Sequence, residues 1–339
     1  MPNRKKKFCR LLQIILVNVL LLWPEFAQPT ALKDTVYISK FPRGRSAAVC
    51  YTFDDGIKDQ FDIAYPMLRE YGFPATFFIV PSQVRLCGNG GHIVSDSSRY
   101  LNQINLCELK DMAEHEIEIA NHSWSHTKDL TKISGDELIE EVEKASNAIE
   151  QMIGERPLTF AYPWNAYNAR TQSIVLRTHI ASREFQFGVG SNFSTEMGNR
   201  WIDGLIEKQT WGVAMIHAIS SGFDALKSPE ELKKHFQYVK QHEDSIWVAS
   251  FASLIKYRVA RESSSLAVSH YRKRLIIKLI APHLKEVYDE PLTLVIEHKI
   301  SPNKINIVQG TTNLSFSYDK GKLLLNALPN RGDIEVYWK

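Results

Sequence analysis

Between residue 32 and about residue 264, short apolar runs alternate with longer stretches whose apolar side chains recur every three or four positions. The runs at 47–53, 75–80, 116–121, 158–164, 185–190, 212–217 and 245–250 are rich in β-branched and aromatic residues, the signature of strands. Helical spacing is clear at 59–70, where Phe61, Ile63, Ala64, Met67 and Leu68 share a face. The stretch 134–153 opens with Ser134 and Glu137, the two members of a capping box. Ser228-Pro229-Glu230-Glu231 repeats a helix start, with proline at the favoured first helical position. Strands that alternate with helices in this way build parallel βα units, as an open doubly wound sheet or a (β/α) barrel.

Beyond residue 264 the pattern changes. Strand-like runs follow one another at 275–280, 292–297, 305–308, 314–318, 323–327 and 334–338, separated by turn signals such as Asp319-Lys320-Gly321. Residues 266–339 are therefore expected to form a small all-β unit of the sandwich type. An α/β domain at 32–265 precedes it, and residues 1–31 read as a leader.

Four short motifs fall at the C-terminal ends of four expected strands, the edge where α/β folds carry their chemistry. Thr52-Phe53-Asp54-Asp55-Gly56 places adjacent carboxylates before a glycine turn, so the two side chains leave the strand in different directions. Asn121-His122-Ser123-Trp124-Ser125-His126 places two imidazoles four apart, which converge on one metal if the segment makes a helical turn. Phe160-Ala161-Tyr162-Pro163-Trp164 offers rings at a strand end, suited to a sugar groove. Ala214-Met215-Ile216-His217 ends on a histidine whose interest comes from the edge it shares with the other three. Two histidines with one carboxylate form a recurrent open site for Zn2+ or another divalent ion.

Charge sharpens the picture. The 339 residues carry a formal net charge of +3, but the excess is local. Arg4, Lys5, Lys6, Lys7 and Arg10 precede an apolar run from residue 11 to 23, the layout of a secretory signal peptide or, left uncleaved, of a signal anchor that would touch the membrane. Without residues 1–27 the chain has 36 basic and 37 acidic residues, a net of −1. No phosphate-binding glycine loop, zinc finger or basic aromatic stripe is evident, which argues against nucleotide and nucleic-acid partners. Export permits disulfides. Cys87 and Cys107 flank a Gly- and Ser-rich loop and are placed to close it, whereas Cys50 sits in an apolar strand as a small buried hydrophobe.

Residues 45–260 resemble the polysaccharide deacetylases with a NodB homology domain (carbohydrate esterase family 4). The Thr-Phe-Asp-Asp-Gly and Asn-His-Ser-x-Ser-His motifs carry the resemblance, with Asp129-Leu130-Thr131 after the second and Ala75-Thr76-Phe77-Phe78 between them. It implies a distorted (β/α) barrel and a Zn-type site of Asp55, His122 and His126. It also implies Asp54 as general base, His217 as general acid, and a backbone amide near Trp164 that helps stabilise the oxyanion. Tyr162 and Trp164 are the expected substrate contacts. The expected activity is hydrolytic removal of acetyl groups from an N-acetylated polysaccharide outside the cytoplasm. The alternatives are an O-acetyl esterase and a non-catalytic sugar-binding relative. The chain departs from the family in three respects. Ala161 stands where many members carry an arginine that pairs with the catalytic Asp, so tuning of Asp54 must come from elsewhere or be absent. Asn165 and Ala120 replace glycines often found beside the third and second motifs. The acid that usually orients the catalytic histidine is not evident, with Asp203 and Asp244 as candidates.

Overall fold

The computed structural model describes residues 35–88, 102–297 and 305–338, so the expected leader lies outside the described residues. Its strands are β1 (Thr35–Ile38), β2 (Ala47–Asp54), β3 (Ala75–Ile79), β4 (Ile117–Asn121), β5 (Thr159–Ala161), β6 (Ala181–Arg183), β7 (Phe187–Val189), β8 (Trp211–Ile216) and β9 (Ile246–Ala249). They are followed by β10 (Ser265–Tyr271), β11 (Arg274–Ile280), β12 (Leu292–Glu297), β13 (Ile305–Gln309), β14 (Thr312–Asn313), β15 (Phe316–Asp319), β16 (Lys322–Ala327) and β17 (Ile334–Trp338). The helices are α1 (Tyr65–Tyr71), α2 (Leu106–Ala113), α3 (Gly135–Ile153), α4 (Ala169–Val175), α5 (Thr195–Glu207), α6 (Pro229–Gln241) and α7 (Phe251–Ser263).

Strands β2 to β9 form one all-parallel sheet in the order β6-β5-β4-β3-β2-β8-β7, with β9 beside the first half of β2. The sheet curls as an incomplete (β/α) barrel, open between β6 and β7, in agreement with the expected distorted barrel. Every residue of β2 is buried, as a central strand covered on both faces requires. Its alternation divides the core in two. Val49, Tyr51 and Phe53 pack with Phe77, Leu68 and Phe236 under α1 and α6, while Ala48 and Cys50 face Ala120, Ala161 and Leu254 of α7. The small residues on that second face let α7 approach the sheet closely.

Local chemistry explains where elements begin and stop. Ser134 Oγ accepts the Glu137 N–H and caps α3 as expected, but the Glu137 carboxylate pairs with Lys128 instead of reaching back. The run at 158–164 is a strand only to Ala161, because Pro163 has no N–H to donate and Trp164 turns left-handed. The helix expected at 59–70 begins as a π-helical turn, Gln60–Ala64, before α1. The run at 185–190 contributes only β7, and the short β6 before it has no counterpart among the expected strands.

The C-terminal strands form two antiparallel sheets, β1-β12-β16-β15 and β10-β11-β17-β13-β14. Leu292, Leu294 and Ile296 of one sheet meet Leu275, Ile277, Leu279 and Val336 of the other, each at every second position, which makes the expected sandwich. One of its strands comes from the other end of the sequence. Residues of β1 pair with β12, Val36 opposite Ile296, so the segment at 35–38 lies with the sandwich and not with the barrel. The strand β10 lies where no strand is expected. Tyr257 and Ala260 of α7 also enter the sandwich core, and the Tyr257 hydroxyl donates to the Ser39 carbonyl at 3.0 Å. Residues 34–339 accordingly form one compact unit. Cys87 and Cys107 are joined in a disulfide and Cys50 is a buried free thiol, both as anticipated. No helix among the described residues is long and apolar enough to cross a membrane.

Candidate active site

Asp54 is the last residue of β2, and the chain turns sharply after it: Asp55 has φ 74° and Gly56 φ 69°. The turn sends the two carboxylates apart. Asp55 Oδ1 lies 3.5 Å from Nε2 of His122 and 3.5 Å from Nε2 of His126. One ligand atom from each of the three residues falls within 4.8 Å of the other two. The histidines do not meet across a helical turn, the condition set from their spacing. Ser123 (φ 63°) and His126 (φ 52°) are left-handed, and the segment is an irregular loop. Side chains hold it in that form. Asn121 Oδ1 accepts the Ser123 N–H, Ser123 Oγ accepts the His126 N–H, and Glu141 of α3 accepts both the N–H and the hydroxyl of Ser125. His122 Nδ1 lies 2.8 Å from the Ala161 carbonyl. A carbonyl only accepts, so Nδ1 carries the proton and Nε2 is the free lone pair facing Asp55.

Asp54 faces the other way, into the interior, and meets Arg183. The guanidinium donates from Nη1 to Oδ1 at 2.7 Å and to Thr52 Oγ1 at 2.7 Å, while Nη2 donates to Oδ2. Its plane lies over the Phe78 ring, 5.0 Å from the centroid. Arg183 is the direct neighbour of Ala161 in the β5–β6 register. The small Ala161 side chain leaves the space, and an arginine one strand further along fills it. The absence of an arginine in the third motif is thus made good from β6.

Electrostatics follow from this packing. Burial pushes the Asp54 carboxyl up, but Arg183 above all, with His122 and His217, brings the net shift below the usual carboxylate value. Burial likewise raises Asp55, and the nearby imidazoles overcome it and bring Asp55 down to about 2. For His122, burial is outweighed by the two aspartates and the net shift is upward. For His126, burial and the neighbouring His122 prevail and the shift is downward.

His217 follows β8 on the opposite wall, edge-on to the Phe223 ring at 5.0 Å. The fully buried Gln60 ties that wall to the first motif, its Nε2 donating to the Asp54 carbonyl at 2.6 Å and to the His217 carbonyl at 2.9 Å. Asp59 adds a second tie, its Oδ2 accepting the N–H groups of Ile219 and Ser220. Neither candidate for orienting His217 lines this cleft. Asp203 accepts from the Tyr238 hydroxyl and Asp244 lies near Arg45 in a different groove.

A cleft of about 480 Å³ joins the four motifs, lined by Asp54, Asp55, His122, His126, Tyr162, Trp164 and His217 together with Asn165, Met215, Phe223 and Asp224. Trp164 is 57% exposed with its ring 4.8 Å from that of His126, and Phe223 is 71% exposed on the other side. Tyr162 is buried and stacked on Tyr167, so only its edge reaches the cleft.

Residues 42–181 match the family model for polysaccharide deacetylase. Over that segment the chain is similar to the polysaccharide deacetylases. The matched segment includes the first three motifs and ends before Arg183 and His217. YxkH of Bacillus subtilis (strain 168), assigned by name to the polysaccharide deacetylases, is 27% identical over 149 residues, 44% of this chain and 48% of that protein. The poly-beta-1,6-N-acetyl-D-glucosamine N-deacetylase of Staphylococcus aureus (strain MSSA476) is 27% identical over 145 residues, 40% of this chain and 47% of its own. The chain spans about half the length of the curated relatives it matches. Among solved structures, the peptidoglycan deacetylase PdaC from Bacillus subtilis aligns with a TM-score of 0.44 at 19% identity, covering 64% of this chain and 94% of that one.

Proposed function

We propose that this chain is an exported, metal-dependent hydrolase that removes acetyl groups from an N-acetylglucosamine-containing polysaccharide. One observation carries the reading: consecutive aspartates turned to opposite sides, one toward a histidine pair and one toward a buried arginine, with a third histidine across the same cleft.

The donor set suits a divalent ion such as Zn2+. Asp55 Oδ1 is buried with no hydrogen-bond partner, and two imidazole nitrogens point at it. Asp55, His122 and His126 would hold the ion, leaving its other positions open. Such an ion supplies Lewis acidity, which polarises an acetyl carbonyl and acidifies a water. The remaining work falls to the chain. Arg183 keeps Asp54 ionised, the form that accepts a proton, and each Asp54 oxygen retains a lone pair beyond the one given to Arg183. Asp54 takes the proton of the attacking water. His217, from the facing wall, delivers a proton to the departing sugar nitrogen. The left-handed turn at Trp164 and Asn165 presents backbone to the cleft beside the two histidines, where the amide at Trp164 would steady the oxyanion. Trp164 and Phe223 provide apolar faces for sugar rings on either side.

Two features favour this over a sugar-binding relative with a dead site. The arginine partner of Asp54 is present, supplied by β6, and the ligand set is complete. The disulfide and the basic, apolar N-terminal segment support export. The S. aureus relative, named for a poly-N-acetylglucosamine, supports an N-acetylated glycan as substrate. The test is acetate release from N-acetylglucosamine oligomers, with metal analysis of the same sample. Release should stop with chelator and return with Zn2+. A metal-loaded protein that binds oligomers and frees no acetate would overturn the reading.

A further inference from the structure

Asp224 is a carboxylate in the cleft wall with no part in the chemistry proposed above. Its loop, which follows β8, is fixed at several points. Asp59 holds residues 219 and 220, the Ala218 N–H donates to the Phe223 carbonyl at 3.3 Å, and Asp224 Oδ1 accepts the Ser191 N–H at 2.9 Å and its hydroxyl at 2.8 Å. The carboxylate rests on Gly190, where a Cβ would fall 1.9 Å from Oδ2, so any other residue at 190 would displace it. Asp224 itself is left-handed, φ 53°. The group is held in place and does not sweep the rim.

Its charge is not balanced within the cleft. Among the described residues the lining contains no lysine or arginine. Arg183, 1% exposed, is engaged behind Asp54, and Asp55 lies between the two imidazoles. Neighbouring Phe223 offers a ring face, so a sugar stacked there sits beside a fixed negative charge.

We propose that Asp224 selects substrates by charge, resting on the reading that a glycan occupies this cleft. It favours chains in which the sugar next to the reacting one already carries a free, protonated amine, and disfavours chains with a carboxylate there. A unit charge about 7 Å from Asp224, at an effective dielectric constant between about 20 and 80, changes affinity by about 3-fold to 50-fold. The enzyme would then bind its own partly deacetylated product chain better than the untouched one.

The experiment compares three oligosaccharides of equal length: fully N-acetylated glucosamine, the same chain with one free amine, and a chain alternating with lactyl-bearing sugars that carry carboxylates. Kd and kcat/KM are measured for each with the full chain and with Asp224→Asn, which keeps the acceptor for Ser191 and removes the charge. The native protein should bind the amine-bearing chain at least 3-fold more tightly than the neutral one and the carboxylate-bearing chain most weakly. Asp224→Asn should compress that order and leave the neutral chain within about 2-fold. If Asp224→Asn shifts all three equally, or leaves the order intact, the proposal is wrong. Salt gives a second measure without any substitution, since the native preference should shrink as ionic strength rises. A native protein that shows the order in Kd and releases no acetate would overturn the proposed reaction and leave the charge selection standing.

Discussion

Arg183→Met tests the most consequential contact in the molecule. The Arg183 and Asp54 side chains are 1% and 3% exposed, so removing the cation strands a carboxylate that is almost wholly withdrawn from bulk solvent. Breaking a buried pair from one side costs about 3–5 kcal/mol. For a cooperative unit spanning residues 34–339, at about 2.1 cal/mol/K per residue, that loss lowers Tm by about 5–8 °C. The pH dependence gives the sharper signature. In the native protein Asp54 titrates below its unfolded value, so its pairing stabilises fully above about pH 4 and is lost as pH falls through the lowered native value. In Arg183→Met the leading influence is burial, which raises Asp54 and makes ionisation increasingly costly as pH rises above about 4. The Tm gap between native and variant should be smaller near pH 4 than near pH 7, widening as the variant's buried carboxylate becomes costlier to ionise, read by calorimetry across that range. The acid limb of kcat/KM should move to higher pH in the same variant. Adding Asp54→Asn removes the stranded charge and should recover part of the stability. A Tm gap constant from pH 4 to 7, together with a double variant no more stable than Arg183→Met, would refute the reasoning.

Three further outcomes follow from the geometry. His217→Ala should reduce kcat about 10²- to 10⁴-fold with metal content unchanged, measured on metal-loaded protein; equal activity removes His217 from the chemistry. Gln60→Leu cuts the ties to the Asp54 and His217 carbonyls and should lower kcat more than it raises KM, whereas an effect on Tm alone would make Gln60 merely structural. Cys107→Ser opens a bridge spanning a sequence separation of 20 and should cost about 3 kcal/mol by loop entropy, seen as a lower urea midpoint.

The central sheet and its motifs were legible because their signals are local. The apolar run at 47–53 reads as a strand and proves to be buried throughout, while the Asp-Asp-Gly that follows it gains its weight from the three other motifs at the same edge. The two histidines were found by spacing, but the reason they converge was not. It lies in Asn121, Ser123 and Glu141, which stabilise left-handed backbone that no spacing rule describes. Arg183 was missed because it closes a strand of three residues, Ala181–Arg183, too short for alternation to register. The one available clue was Ala161, a small residue where bulk was expected, and using it required knowing which residue lies beside it on the next strand. The sandwich was legible from its alternation, but β1 was not, since its partner β12 lies more than 250 positions away and a pairing so distant leaves no trace in a local pattern.

The path of α7 bears on how such a protein can be inherited. Phe251 and Leu254 fill the barrel beneath Ala48 and Cys50, while Tyr257 and Ala260, further along the same helix, fill the sandwich. Recombination that exchanged everything after residue 265 would strip the covering from Tyr257 and leave β1 without its neighbour. The terminal sheets are therefore a poor candidate for modular shuffling between genes. They travel with the barrel as a single hereditary block, and changes in one are expected to be answered by compensating changes in the other.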